Sequence, residues 1–327
     1  MGAEQSAMVC YARPPYSSTQ PMSPLVRQMH LAVMQNDLNK LLWLLRLGVD
    51  VNYPWMNPTQ PSVKDGCTAL SEAVSLNHVD AAKALIEAGA SVDTVDRDGY
   101  SLLHRAAYHG RHLIAKILVD AGADVYGLDN EGNTPLHMAV KNGFVHNNAK
   151  CVLTLIACGA QVNSRNQRGQ TPLHFAAGWA VAEITAILVE HRADIDGLDD
   201  DYLTPLHYCL LRVIDQQHRR PTSLMRETFR RYWPTMHQLL KAGCDSLGLA
   251  TWLKCNPGVL EGMQGDPSFT HWRTQHGHES LKHLCRVYLQ NYLGFTNVRH
   301  KYCLRKVKKF NIPETLKEYL GRRLLPA

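Results

Sequence analysis

The residues of this chain best suited to chemistry are its histidines and cysteines, 17 and 9 in number. A thiol beside an imidazole can form an activated nucleophile, and His283 with Cys285 is the nearest such pair. Two helical residues that close in sequence point to different faces, so these groups do not meet. His271, His276 and His278 form a loose cluster, without the second ligand pair that a structural zinc site needs. The sequence has no Cys-x-x-Cys, no phosphate-binding G-x-x-x-x-G-K-[ST], no H-E-x-x-H and no G-x-S-x-G. The expectation is a chain with no catalytic residues, no metal and no cofactor. The odd, irregular cysteine set, with no secretory leader before it, reads as reduced thiols that fill small core volumes.

Five histidines have a structural explanation, because His30, His104, His137, His174 and His207 share one position in a recurring phrase. The phrase reads Thr134-Pro135-Leu136-His137-Met138-Ala139 and again Thr171-Pro172-Leu173-His174-Phe175-Ala176. Gly66, Gly99, Gly132 and Gly169 precede it at intervals of 33, 33 and 37 residues, and Tyr202 holds the same slot 33 further on. A fixed period of this length predicts a stacked solenoid. Each unit opens on a turn such as Asp98-Gly99 or Glu131-Gly132. Thr supplies a helix cap and Pro suits the first helical position. A second helix carries apolar residues at helical spacing, Ile114, Ile117 and Leu118 in one unit and Ile184, Ile187 and Leu188 in another. Gly-Ala closes it at Gly89-Ala90, Gly122-Ala123 and Gly159-Ala160.

These phrases resemble the ankyrin repeat family over about 25–245, with about six units. The distance from the His slot to the closing slot is 18 residues in four of them: His30 to Gly48, Ser71 to Gly89, His104 to Gly122 and His174 to Arg192. The first unit lacks Thr-Pro and suits a cap, and a Pro-rich link runs from Tyr53 to Val63. The fourth unit gains four residues near Phe144–Asn147. The sixth carries a basic insert, Gln216 to Tyr232, which either lengthens its helices or forms a loop.

The net charge of +6 hints at nucleic acid, but its distribution argues otherwise. Between Arg299 and Arg323 nine basic residues face two acidic ones, giving +7 and leaving −1 for the remainder. No run of 18 apolar residues occurs, so neither a spanning helix nor stable membrane insertion is expected. A cytoplasmic location, with the nucleus also open, follows as the expectation. Met1-Gly2-Ala3-Glu4-Gln5-Ser6 fits an N-myristoylation signal on Gly2. Residues 1–24, rich in Pro and Ser, otherwise read as disordered.

The pattern stops after Gly243, and 246–279 reads as a packed connector. Ser280 then caps a helix whose Leu281, Leu284, Cys285, Tyr288 and Leu289 form one apolar face. Such a stripe suits a partner's groove. Ser-Leu-x-x-x-Cys-x-x-x-Leu is similar to the elongin-binding box that opens a SOCS box. Phe310-Asn311-Ile312-Pro313, followed by Leu316, Tyr319 and Leu320, is similar to the cullin box that closes it. The chain thus resembles the ankyrin repeat and SOCS box family. The resemblance implies an all-α protein, an ankyrin solenoid followed by a small three-helix SOCS box at 280–327. It further implies a non-catalytic substrate receptor of a ubiquitin ligase. Elongin C, with elongin B, would take Ser280, Leu281, Leu284, Cys285, Tyr288 and Leu289. A cullin-5-type cullin with its RING subunit would take Phe310, Asn311, Ile312, Pro313, Leu316, Tyr319 and Leu320. Phe310-Asn311 replaces the usual Leu-Pro pair of that box, which leaves the choice of cullin open.

The positions through which ankyrin arrays grip a protein substrate carry over to Arg97, Tyr100, Arg105, Tyr108 and His109. In the next units they are Asn133, Lys141, Asn142, Arg168, Gln170 and Trp179. Aromatic residues and Arg are common interface anchors, and the set leans basic, which points to a target segment that is acidic or has an exposed carboxylate. Two rival readings stand beside this one: an ankyrin scaffold or adaptor without ligase recruitment, and nucleic-acid binding by the basic tail. No nucleic-acid motif accompanies that tail.

Overall fold

Thr-Pro and Ser-Leu starts, small alanines and closing glycines dictate short helices joined by tight turns. The computed structural model describes residues 23–55, 67–143, 148–215, 222–244 and 266–270, and among them the fold is helical with no strand. The first helices of successive repeats are α1 (Pro24–Met34), α3 (Ala69–Leu76), α5 (Leu102–Tyr108), α7 (Pro135–Lys141), α9 (Pro172–Gly178) and α11 (Pro205–Asp215). Their partners are α2 (Leu38–Arg46), α4 (Val79–Glu87), α6 (His112–Asp120), α8 (Ala149–Ala157), α10 (Ala182–Glu190) and α12 (Thr222–Lys241). Each helix packs on its partner and on its counterpart in the next repeat, so two parallel rows run along the array. This is the stacked solenoid expected from the period.

The core lies between the rows. The leucine of each phrase is sealed there, Leu70, Leu103, Leu136 and Leu173 at 0% exposure. Burying each contributes roughly 2 kcal/mol. Ala73, Ala106, Ala139 and Ala176 are buried as well, and their small volume permits close approach of adjacent first helices. Ile114, Leu118, Ile184, Ile187 and Leu188 fill the second row as their spacing predicts, while Ile117 is only half-buried. The closing turns put glycine at positive φ, and Ala90 and Ala123 donate back to the Leu85 and Leu118 carbonyls at 2.9 Å. Those bonds satisfy carbonyls that the helix end leaves free.

The histidine slot bolts repeat to repeat. His104, His137 and His174 each donate from Nε2 to a backbone carbonyl of the following repeat, at Asn133, Gln170 and Leu203, 3.0 Å away. Nδ1 of each accepts the N–H of its own helix cap, Ser101, Thr134 or Thr171, at 3.1–3.2 Å. One donor and one acceptor define a neutral ring. Burial pushes all three below the ordinary histidine range, His137 to about 4.

The insert of the sixth repeat goes largely into helix. α11 has 11 residues where α5, α7 and α9 have 7, and α12 has 20 where α10 has 9. Buried Phe229, Trp233 and Met236 seat α12, and Tyr232 donates to the Gly178 carbonyl at 3.0 Å. Cys151, Cys209 and Cys244 are thiols outside any disulfide and are buried, as expected for small core fillers, and the Cys158 thiol is partly exposed. Cys67 departs from the expectation of reduced thiols, because it is disulfide-bonded.

The chain divides into two compact units, 1–244 and 245–327. In the second, Asp266 accepts from the N–H groups of Ser268 and Phe269 at 2.9 and 3.1 Å, and Phe269 is buried. Gly2, the elongin-box residues Ser280 to Leu289 and the cullin-box residues Phe310 to Leu320 lie outside the described residues.

Candidate protein-binding surface

The turns between repeats form a row of fingers, each built around one Asx side chain. Asp96, Asp129, Asn166 and Asp199 occupy equivalent slots, and Oδ1 of each accepts two backbone N–H groups of its own finger at 2.8–3.0 Å. Each finger is also tied to the next. The N–H groups of Asn130, Gln167 and Asp200 donate to the carbonyls of Asp98, Glu131 and Arg168 at 3.0–3.1 Å. Asn130 and Gln167 add side-chain bonds to the Arg97 and Asn130 carbonyls. The tips therefore present side chains from a fixed backbone, which lowers the ordering cost of binding.

Several residues expected on this surface are there. Arg97 and Arg168 stand exposed at finger tips, and Trp179 is 40% exposed at the end of α9. Tyr108, His109 and Lys141 are half-buried along the ends of the first helices, and the Tyr108 and His109 rings meet edge to face at 5.2 Å. Tyr100 and Gln170 are half-buried. Burial, followed by the charge of Asp129, pushes the Tyr100 phenol up to about 12, so it stays a neutral donor.

Two expected contact residues are not on the surface. Asn133 is fully buried; it donates to Asp129 at 2.9 Å and accepts from Asn166 at 2.9 Å. Asn142 is buried and donates to the Tyr108 carbonyl at 3.0 Å. Both bridge repeats, because a buried amide must spend its polar atoms inside. Arg105 is half-buried and paired with Asp96 at 2.5 Å, so its charge is already met within the repeat.

The basic lean expected from the sequence is also incomplete. Arg165 holds Asp200 at 3.2 Å, and Asp201 stands exposed beside it, so the last finger tip is acidic. Arg212 is a contact candidate that the carried-over slots omitted. It follows Trp179 by 33 residues, in the same slot, and its guanidinium lies 5.6 Å from the Trp179 ring centroid. Extending the slot by one repeat would have found it. Tyr208 donates to Asp199 at 2.7 Å; its phenol is pushed up by burial and then by that carboxylate.

Comparison with known proteins matches this geometry. The ankyrin-repeat model fits three times, over 29–129, 96–166 and 144–217. A SOCS-box model fits residues 279–320. The chain belongs to the ankyrin repeat and SOCS box family. The crystal structure of the human ASB11 ankyrin repeat domain is similar, with 27% identity and a TM-score of 0.51, over 68% of this chain and 85% of that one. No curated protein matches the chain. An ankyrin array joined to a SOCS box is the organisation of a substrate-recognition adaptor of a cullin–RING ligase, and both are adaptor modules, generally non-catalytic. Among the described residues no helix of this family member is long and apolar enough to cross a membrane.

Proposed function

We propose that this chain is the substrate receptor of a cullin-5-type ubiquitin ligase. The observation that carries the reading is the SOCS-box match at 279–320, placed after an ankyrin array. That span contains every residue of the two expected boxes. Leu281 inserts into elongin C, with Cys285 and Leu289 packed beside it and Ser280, Leu284 and Tyr288 completing the helix face. Ile312 and Pro313 meet the cullin; Leu316, Tyr319 and Leu320 hold the last helix. The ankyrin surface holds the target, and the recruited RING subunit directs ubiquitin to it for proteasomal degradation.

The test is recovery of elongins B and C, and then of cullin-5, on the full chain and on Leu281→Pro. Proline suits the first helical position but lacks the Leu281 side chain that fills the elongin C pocket, so the variant should recover neither elongin. Equal recovery by both forms removes the ligase assignment and leaves an ankyrin scaffold. Recovery of the elongins with a cullin of another type removes only the cullin-5 choice, which Phe310-Asn311 bears on.

A further inference from the structure

We infer that the substrate segment this receptor reads is acidic around an apolar or aromatic residue. Its carboxylates meet Lys141 and Arg212, and its apolar residue packs on Trp179. The inference rests on the receptor reading above. Its first support is the distribution of charge along the first helices. α5, α7 and α9 contain no Asp or Glu, and α11 has none before Asp215 at its end. The cations on these helices are Arg105, Lys141 and Arg212, of which Arg105 is paired with Asp96. Neither Lys141 nor Arg212 has a carboxylate within salt-bridge distance among the described residues. The second helices α6 and α10, by contrast, carry Asp120, Glu183 and Glu190.

The second support is the way Arg212 is held. Arg212 is exposed, yet its guanidinium carbon lies over the indole of Trp179, which is itself 40% exposed. A cation held over a ring face is attracted to it and keeps its fork of N–H groups available to a carboxylate. Lys141, Trp179 and Arg212 come from three successive repeats. In the row of Tyr108 and Lys141, the next residue is Gly178, which puts no side chain beside Trp179. Adjacent helices stand about 8–10 Å apart, a distance spanned by two or three residues of extended chain. An acid–apolar–acid spacing of that length therefore fits the row.

A polyphosphate chain fits less well. The finger tips on the same array carry Asp98, Glu131, Asp200 and Asp201. A substrate with isolated acids can keep away from these tips, whereas a nucleic acid has a charge at every residue.

The experiment is selection of a displayed library of random 12-residue peptides on the full chain in complex with elongins B and C. The expected consensus has Asp or Glu within two or three residues of an apolar or aromatic one. Selected peptides should bind Arg212→Glu at least about tenfold more weakly, Arg212→Lys with a smaller loss, and Trp179→Ala with loss of the apolar preference. Elongin recovery should be unchanged in all three variants. A consensus without acids, no consensus at all, equal binding by Arg212→Glu, or displacement of the peptides by single-stranded oligonucleotide overturns the inference. If the wild-type chain itself fails to recover elongins, it is the receptor reading that falls.

Discussion

His137 and His30 occupy the same slot of the repeat, and each is fully buried. The inner histidine accepts from Thr134 and donates to the Gln170 carbonyl, which a neutral ring satisfies. His30 faces acceptors on both sides, Glu72 Oε2 at 3.0 Å and the Tyr53 carbonyl at 3.0 Å. Both ring nitrogens face acceptor oxygens, so the pair needs one proton more than a neutral ring supplies, on the imidazole or on the Glu72 carboxyl. The difference comes from two sequence changes. Arg27 stands where the inner repeats have Ser101, Thr134 and Thr171, so no cap N–H is offered to Nδ1. Glu72 stands where later repeats have Arg105, Met138, Phe175 and Tyr208. One slot thus supports two kinds of latch. The neutral one can be repeated, because each copy leaves no charge in the core. The other closes the end, where the buried Glu72 carboxyl completes the bond.

Acid should separate the two kinds most strongly. His104, His137 and His174 are held neutral when folded, whereas the unfolded chain takes up protons from pH 6.5 downward. Stability from these latches is complete above about pH 6.5 and falls as pH drops; for His137 the loss ends near 4. The slope approaches about 1.4 kcal/mol per pH unit for a ring held neutral, so roughly 3 kcal/mol should vanish from His137 alone between pH 7 and 4, and His104 and His174 add loss in the same direction. Urea unfolding of residues 1–244 across that range measures it. A flat profile would mean that the inner rings are not held neutral.

Next in size is removal of the Glu72 carboxyl. Glu72→Ala leaves His30 buried without its partner, and breaking such a pair costs about 3–5 kcal/mol. Glu72→Gln keeps an acceptor oxygen and should recover much of this. A Glu72→Ala unfolding free energy within about 1 kcal/mol of wild type would show that the His30–Glu72 bond contributes little to the end latch. His137→Ala is smaller, about 1–3 kcal/mol, because it strands the buried Thr134 N–H while the Gln170 carbonyl keeps the Asn166 N–H. In a linear array the break should also split the transition into two, visible as a loss of cooperativity in the same melts.

The spacing of Leu, Ala, Thr-Pro and Gly made the repeat legible in the sequence, since each type follows from a local backbone or packing demand. The His slot was legible as a slot. Its two electrostatic forms were not, because the partner of His30 lies 42 residues away, in the next repeat. The same reason explains the surface. Asn133 and Asn142 are polar residues in contact slots, yet each spends its amide on a neighbouring repeat. Arg105 reads as a free cation until the fold brings Asp96 against it. Arg212 lay one repeat beyond the slots carried over, on a helix whose lengthening hid the period. Side-chain pairing across repeats is a property of the stack rather than of the unit.

The smallest effect tests the same contrast between end and middle on the finger side. Gly99 and Gly132 have φ of +79° and +76°. A Cβ on either would meet backbone of the next finger, Asn130 N at 2.8 Å or Gln167 N at 2.9 Å. Glycine is needed there twice over, for its conformation and for the neighbour stacked against it. Tyr202 holds that slot in the sixth repeat at φ +61° and is 45% exposed. The repeat pattern supplies no further finger to stack on it, so only the conformational half of the demand remains. A left-handed tyrosine costs roughly 1–2 kcal/mol, and glycine's greater freedom when unfolded returns part of that. Tyr202→Gly should therefore stabilise the array by about 0.5–1 kcal/mol, read as a rise of a few degrees in Tm. A loss of stability would mean that the tyrosine ring makes a packing contact worth more than the strain it imposes, and that the sixth finger is an interior one in all but position.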